Sequence, residues 1–383
     1  MATEVGGRPA GDGYGTLRLI FAFIVVADHV PVLLGLGNSF MPVTSGVDLG
    51  AVSVGAFMGL SGYFVMRSWQ RDPNLWRFWV RRLLRIMPAL VVVLGLSALV
   101  VGTLTTTLGK REYLAHPATW SYIGDNLLLF PQQYVLPGVF TGNPYPGAVN
   151  GSLWSLPVEV LGYALIALLG LLITLTRHRF VMVVFALAMA VLLQRLSTNQ
   201  VDLPTVLLMV PTFPLLQYLG MYAAGAAIWL YRDRIKLSWF GVLLCVGIDF
   251  TLYASAIVEV SRIFTLPYLV ISLGHLLPRR LWLPSWLTVA NYGVYLYGFV
   301  VLQTLLFLGM RTPWLVAATA VPIALVAGLV SWHLVEKQAM KLRKPLMLRR
   351  RKPTPAPAPE PADGAPTEEL PPVGTPQPAP ATS

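Results

Sequence analysis

Ten apolar stretches of spanning length recur along this chain, and they leave one architecture open: a bundle of membrane-crossing helices. They run over about 17–37, 50–66, 83–105, 152–174, 180–194, 204–231, 238–258, 262–278, 287–309 and 313–335. Hydrocarbon offers no partner to a backbone N–H or C=O, so such segments satisfy their hydrogen bonds internally, as helices. Composition agrees. Hydrophobic residues make up 55% of the chain and charged residues 12%, about half the charge of a soluble domain. The sixth stretch contains Pro204, Pro211 and Pro214 and is expected to be kinked or broken.

Basic residues orient the bundle. With the N-terminus inside, only Lys110, Arg111, Arg195, Arg262 and Arg311 of the 28 Lys and Arg fall on outer segments, and the other 23 fall on inner ones. That bias predicts an even number of spans with both termini cytoplasmic. The net charge of +11 therefore belongs to membrane flanks and excludes nucleic-acid binding as its explanation. The longest loop, about 106–151, then lies outside. It carries Trp120, Tyr122, Phe130, Tyr134, Phe140 and Tyr145, which fit either an interfacial aromatic belt or a platform that stacks on a sugar. From Pro353 the chain is rich in Pro and Ala with scattered acids, a composition that forms no core and reads as a disordered cytoplasmic tail. The expected division is a cytoplasmic segment 1–16, a membrane domain 17–340, and a basic, then Pro-rich, tail 341–383.

Several chemistries are excluded. Cys245 is the only cysteine, and His29, His116, His178, His275 and His333 show no ligand spacing, so neither a disulfide framework nor a metal site is expected. The first apolar run is long enough to span and lacks a small-residue cleavage pattern, so no cleaved signal peptide is expected.

Within the first span sits Asp28-His29. A charge at the centre of a spanning helix costs roughly 2.5–3.5 kcal/mol, so such groups face polar cavities and mark function. Imidazole also titrates near neutral pH, which suits proton transfer. A neutral His hydrogen-bonded in the bundle core is the structural alternative. His29 lies roughly 12 Å from the outer end of its span, and Glu159 lies roughly 10 Å deep in the fourth, by helix rise. The two can share a level, where a carboxylate orients a general base. Asp28 leaves the helix about 100° away from His29 and is the weaker partner.

Arg82 and Arg85 share one face near the inner start of the third span. Guanidinium forks suit phosphate, and positive-inside anchoring is the structural alternative. The run Gly59-Leu60-Ser61-Gly62-Tyr63 lacks the strand-to-helix setting of a nucleophile elbow and reads as a small-residue packing face. Asp249, His275 and Glu336 are further ionisable residues on late spans; Asp249 reads as structural.

Six motifs in order resemble the acyltransferase-3 family of integral membrane acyltransferases, which includes bacterial sugar O-acetyltransferases. The first is a basic residue, ten residues and a His, here Arg18 and His29. AFMGLSGYFV (56–65) is similar to the second-helix motif and includes Ser61. RLLRIMP (82–88), WSLPVE (154–159) with Trp154 and Glu159, YGVYLYGF (292–299) with Tyr292 and Tyr295, and WHLVEK (332–337) with Glu336 follow. The match covers about 14–340. It departs at Gly15, Gly298 and Gln338, where the family often has Asp, His and Pro.

The resemblance implies an O-acyltransferase of the bacterial cytoplasmic membrane. His29 is then the catalytic base with Arg18 as companion, and Arg82 and Arg85 bind the donor. Ser61, Trp154, Tyr292, Tyr295 and Glu336 support the site. The donor is acyl-coenzyme A, with acetyl the expected group; the acceptor is a hydroxyl of a sugar or envelope glycan; no cofactor is tightly bound. A proton-coupled transporter using Asp28, His29, Glu159 and Asp249 as a relay is the competing reading.

Topology is directly testable. Reporter fusions at Lys352 and within Asn143–Gly151 are expected to report opposite sides of the membrane. The same side at both positions excludes the ten-span arrangement.

Overall fold

The computed structural model describes residues 12–37, 48–208, 210–255 and 257–348. The Pro-rich tail expected beyond 352 lies outside them. Ten principal helices fall on the ten apolar stretches: α1 (Gly13–Leu33), α2 (Leu49–Arg71), α3 (Leu75–Gly95), α4 (Ser155–Thr176), α5 (Val181–Ser197), α6 (Thr212–Leu230), α7 (Trp239–Thr251), α8 (Val258–Leu276), α9 (Asn291–Phe307) and α10 (Pro313–Ser331). Six helical runs among the described residues, those of α1, α2, α3, α4, α6 and α10, are long and apolar enough to cross a membrane. The protein is a multi-pass, mainly helical membrane protein. Large side chains such as Phe240, Leu175 and Phe250 stand exposed on its flanks, as a hydrocarbon solvent permits.

Helix starts follow local chemistry. Asp48 caps α2 by accepting from Ala51 N at 2.8 Å, Asn74 caps α3 from Arg77 N at 3.0 Å, and Ser238 caps α7 from Gly241 N at 3.1 Å. The proline-rich sixth stretch resolves as expected for a break. Val206–Leu207 and Val210–Pro211 pair as a short antiparallel hairpin, and α6 begins after it, with Pro214 in its first turn where no N–H is needed. The long loop is more ordered than its composition suggests. It holds two short helices, Lys110–Ala115 and Pro117–Leu128, and buries Tyr113, Tyr122 and Phe140.

Two helices pass through π-turns before their last α-helical residues. The helix of α3 continues through Leu96–Val101, and that of α10 through Trp332–Glu336. A π-turn adds a residue and brings i and i+5 onto one face. Ser331 and Glu336 are five apart, and the Ser331 hydroxyl donates to Glu336 Oε1 at 3.4 Å. Glu336 is thereby turned inward and buried, while Leu334 faces out.

The core is built on α2 and α6, the most extensive helix pair. Their backbones touch through glycines. A Cβ at Gly62 meets the Tyr222 carbonyl oxygen at 1.9 Å, and one at Gly225 meets the Gly59 carbonyl oxygen at 2.0 Å. The small-residue face read around Ser61 is thus a true packing face. Valine at Gly62 or at Gly225 is expected to cost about 1–3 kcal/mol or more through forced separation of the pair. It lowers the thermal midpoint of the detergent-purified protein. Gly247→Ala, whose Cβ enters open space on α7, leaves that midpoint unchanged or raised.

Candidate active site

His29 projects from α1 into a cavity of about 280 Å³ bordered by Asp28, Asp48, Tyr145, Trp154, Tyr295 and Phe299, among others. Its Nδ1 lies 2.6 Å from the Val25 carbonyl oxygen, one turn earlier. A carbonyl only accepts, so Nδ1 carries the proton and Nε2 holds the basic lone pair. The ring is steadied by the edge of Phe299, 5.2 Å between centroids. The group that fixes the tautomer is therefore a backbone carbonyl and not a carboxylate.

Asp28 serves a different neighbour. Its Oδ2 accepts from Gly50 N at 3.0 Å, in the first turn of α2 beside the Asp48 cap. Two carboxylates thus meet the positive end of α2 and line the same cavity as His29.

The structure does not bring Glu159 to His29, as shared depth suggested. Glu159 lies on α4 in a second cavity of about 130 Å³, with Arg18, Arg82 and Arg85. Its Oε1 accepts from the Tyr163 hydroxyl at 2.6 Å. Equal depth on two helices leaves the rotation of each about its axis open, and here the helices face different cavities. Arg18 also moves. Read as the companion of His29, it stands instead with Arg82 and Arg85, eleven residues or roughly 16 Å along α1 from the imidazole.

The three guanidiniums rest on aromatic faces: Arg18 Cζ is 5.1 Å from the Phe64 centroid, Arg82 5.6 Å from Tyr163, and Arg85 5.3 Å from Tyr292. Such contacts hold a cation without neutralising it. Among the described residues, only Arg85 of the three makes an ion pair, at 3.4 Å to Glu336. Arg82 Nε is buried without a hydrogen-bond partner. The Glu336 carboxylate is in turn reached by Ser331, whose Oγ accepts from Tyr297 at 3.1 Å. Ser61, Tyr292 and Tyr295 border this second cavity, and Trp154 the first.

A third space of about 430 Å³, bordered by Asp12, Tyr14, Ser285 and Trp332, shares Arg18, Phe64, Arg85 and Asn291 with the arginine cavity. The three spaces thus follow α1 from its N-terminal end to His29.

The transporter relay is not assembled. Asp249 Oδ1 accepts from Thr265 at 2.8 Å and from Ser261 at 3.2 Å between α7 and α8, and it borders neither cavity. His275 is exposed at the end of α8. Other residues enter that sequence reasoning did not single out. Ser155 stands inside the WSLPVE motif and Asn291 directly before the first tyrosine of the late one. Asp48 had only the signal of a cap before an apolar run. Gly298, where the family often has His, packs on α1: a Cβ there meets Val26 Cγ2 at 2.3 Å. The close approach leaves no room for imidazole, and the next residue, Phe299, reaches His29.

The long loop between α3 and α4 is clamped beside the His29 cavity. Buried Gln303 on α9 donates to the carbonyls of Tyr145 (2.8 Å) and Ala148 (2.6 Å), and its Oε1 accepts from Asn143 at 2.8 Å. Asn150 Nδ2 donates to Leu296 O at 2.9 Å. Of the six loop aromatics, Tyr145 alone borders the cavity; Trp120 is exposed elsewhere, and its indole binds the Leu114 carbonyl.

A family model described as an acyltransferase domain matches residues 13–333. The chain is 30% identical over 364 residues to nodulation protein 10 of Rhizobium leguminosarum bv. viciae, covering 88% of this chain and 96% of that protein. It is 26% identical over 351 residues to an O-acetyl transferase of Shigella phage Sf6, covering 87% and 97%. No solved structure matches the chain.

The clamp has a measurable signature. Gln303→Leu strands buried partners at about 1–3 kcal/mol each. Hydrogen exchange at the Asn143 and Val149 amides is expected to rise at least about tenfold, with α2 unchanged. Unchanged exchange at both amides refutes the clamp.

Proposed function

This chain belongs to the acyltransferase-3 family, and from that premise we propose that it carries an acyl group from cytoplasmic acyl-coenzyme A to a hydroxyl of a sugar or envelope glycan. It is an O-acyltransferase. The expected acyl group is acetyl, as in the name of the phage relative. In this reading all ten helices cross the bacterial cytoplasmic membrane and both termini are cytoplasmic, as the basic-residue bias favours.

The observation that carries the proposal is the adjacency of two unlike cavities. One holds a tautomer-fixed imidazole beside two carboxylates and four aromatic side chains; the other holds three guanidiniums and one carboxylate. Phosphates of the donor pair with Arg18, Arg82 and Arg85, which offer planar forks in a place poor in water. The inlet at the N-terminal end of α1 lies on the cytoplasmic side in this topology. Polar carboxylates with aromatic faces, as Asp28, Asp48, Tyr145 and Trp154 supply, suit a polyhydroxyl acceptor in the outer cavity.

Chemistry then follows in two steps. His29 Nε2 takes the proton of the acceptor hydroxyl while its oxygen bonds to the thioester carbonyl carbon. The carbon–sulfur bond breaks, and the thiolate leaves with the proton returned by His29. The ester stays on the acceptor and the thiol departs inward. Glu159, tied to Tyr163, acts in this reading as counter-charge to the arginines and not as a proton carrier.

Two variants test this. His29→Ala is expected to reduce acyl transfer by about 10²–10⁴-fold at constant abundance, the scale of a lost general base. Retention of more than about a tenth of activity removes His29 from that role. Arg82→Lys and Arg85→Lys keep the charge and lose the fork. They are expected to weaken acyl-coenzyme A binding by about 1–3 kcal/mol; unchanged affinity in both returns these arginines to membrane anchoring.

A further inference from the structure

Two residues among those described border both the arginine cavity and the His29 cavity: Val54 on α2 and Tyr295 on α9. They form the wall that a donor must pass if its phosphates rest on the arginines and its acyl carbon reacts beside His29. We propose that Val54 and Tyr295 form the acyl-size gate of this enzyme, with Tyr295 the fixed jamb and Val54 the residue whose bulk sets the opening. The proposal rests on the donor reading above and deepens it.

Tyr295 is held from three sides. Its hydroxyl lies 2.5 Å from Ser155 Oγ, at the start of α4, and donates at 3.1 Å to the carbonyl of Ser152 in the 3-10 turn just before it. Phe57 meets its ring edge-on, 6.1 Å between centroids. Next in chain, Leu296 gives its carbonyl to Asn150. A side chain held by packing and a buried hydroxyl pair does not swing without breaking both.

Val54 stands on an equally fixed helix. The adjacent Gly55 packs so closely that a Cβ there meets Met221 Sδ at 2.7 Å and Leu266 Cδ2 at 3.0 Å. Thus α2 is pressed against α6 and α8 behind Val54 and has no space to retreat. With both frames fixed, the opening depends on the side chain at 54. Valine is stiff about its first torsion and leaves a narrow, shape-defined passage. An acetyl group is the smallest acyl unit bearing a methyl, and each further methylene needs room that two fixed walls do not yield.

The test separates passage from binding and needs no acceptor. Full-length protein in nanodiscs is given a coenzyme A thioester of a short aliphatic acid ending in a diazirine. After illumination, the labelled residues are mapped by mass spectrometry. Binding of unacylated coenzyme A is measured separately. In the unchanged protein, label is expected on the His29 side, at Val25, Val32 or Trp154. In Val54→Phe it is expected to retreat to Met58, Ser61 or Leu156, with coenzyme A affinity within about threefold. Val54→Ala is expected to admit to the His29 side a bulkier aryl-diazirine thioester that the unchanged protein keeps on the arginine side.

Identical labelling in all three proteins overturns the gate, and so does a retreat accompanied by a loss of coenzyme A affinity greater than about tenfold, which marks collapse of the site. Failure of the unchanged protein to bind coenzyme A overturns the donor reading itself, and the gate with it.

Discussion

Everything in this bundle answers to one constraint: an ionisable group placed among hydrocarbon must face a polar neighbour or a cavity. The first span obeys it twice. Arg18 lies over Phe64 in a cavity with Glu159, and Asp28 takes the free N–H of Gly50 at the start of α2. Burying either group without such surroundings costs kilocalories, so the helices are held in the rotations that supply them. The same logic joins α3 to α10. Arg85 on α3 reaches Glu336, and the π-turn after α10 puts that carboxylate on the inner face. The glycine contacts of α2 with α6 supply the packing that lets these polar groups lie at fixed separations.

Much of this was legible in the chain. The apolar stretches announced a mainly helical membrane protein, and six helical runs among the described residues are long and apolar enough to span. His29, Arg18, Arg82, Arg85 and Glu336 stood out because charge in apolar surroundings is rare and costly. What the chain did not reveal was which of them meet. Depth follows from counting residues at a fixed rise, but azimuth depends on how neighbouring helices pack. Hence Glu159 matched His29 in depth and faces Arg82. Arg18, eleven residues from His29 on the same helix, belongs with the third span. The π-turn at Trp332–Glu336 was invisible for a related reason: a single added residue leaves no mark in hydropathy yet turns Glu336 inward. The long loop was read by its aromatics, but the packing of Phe140 on Phe307 and the grip of Gln303 depend on contacts across more than a hundred residues.

The departures from the family pattern gain a physical reading. Gly298 removes an imidazole from the late helix and substitutes close approach to α1 at Val26. Among the described residues one imidazole, that of His29, then borders the cavity beside α9, steadied by Phe299 and a backbone carbonyl. Because the main chain and not a carboxylate holds Nδ1, the geometry of α1 itself sets how the ring is presented to the cavity.

The pair of carboxylates at the start of α2 has a wider effect. Asp28 and Asp48 meet the positive end of that helix and border the His29 chamber, while the chamber on the other side of Val54 is bordered by Arg18, Arg82 and Arg85 with one carboxylate, Glu159. Side chains of opposite charge are thus separated along α1. In the proposed reading, an anionic donor head drawn in by the arginines meets the two carboxylates beyond Val54 and is held back by them. Only the uncharged end of such a molecule then advances, so in that reading the separation of charge along α1 acts as a depth stop for the donor.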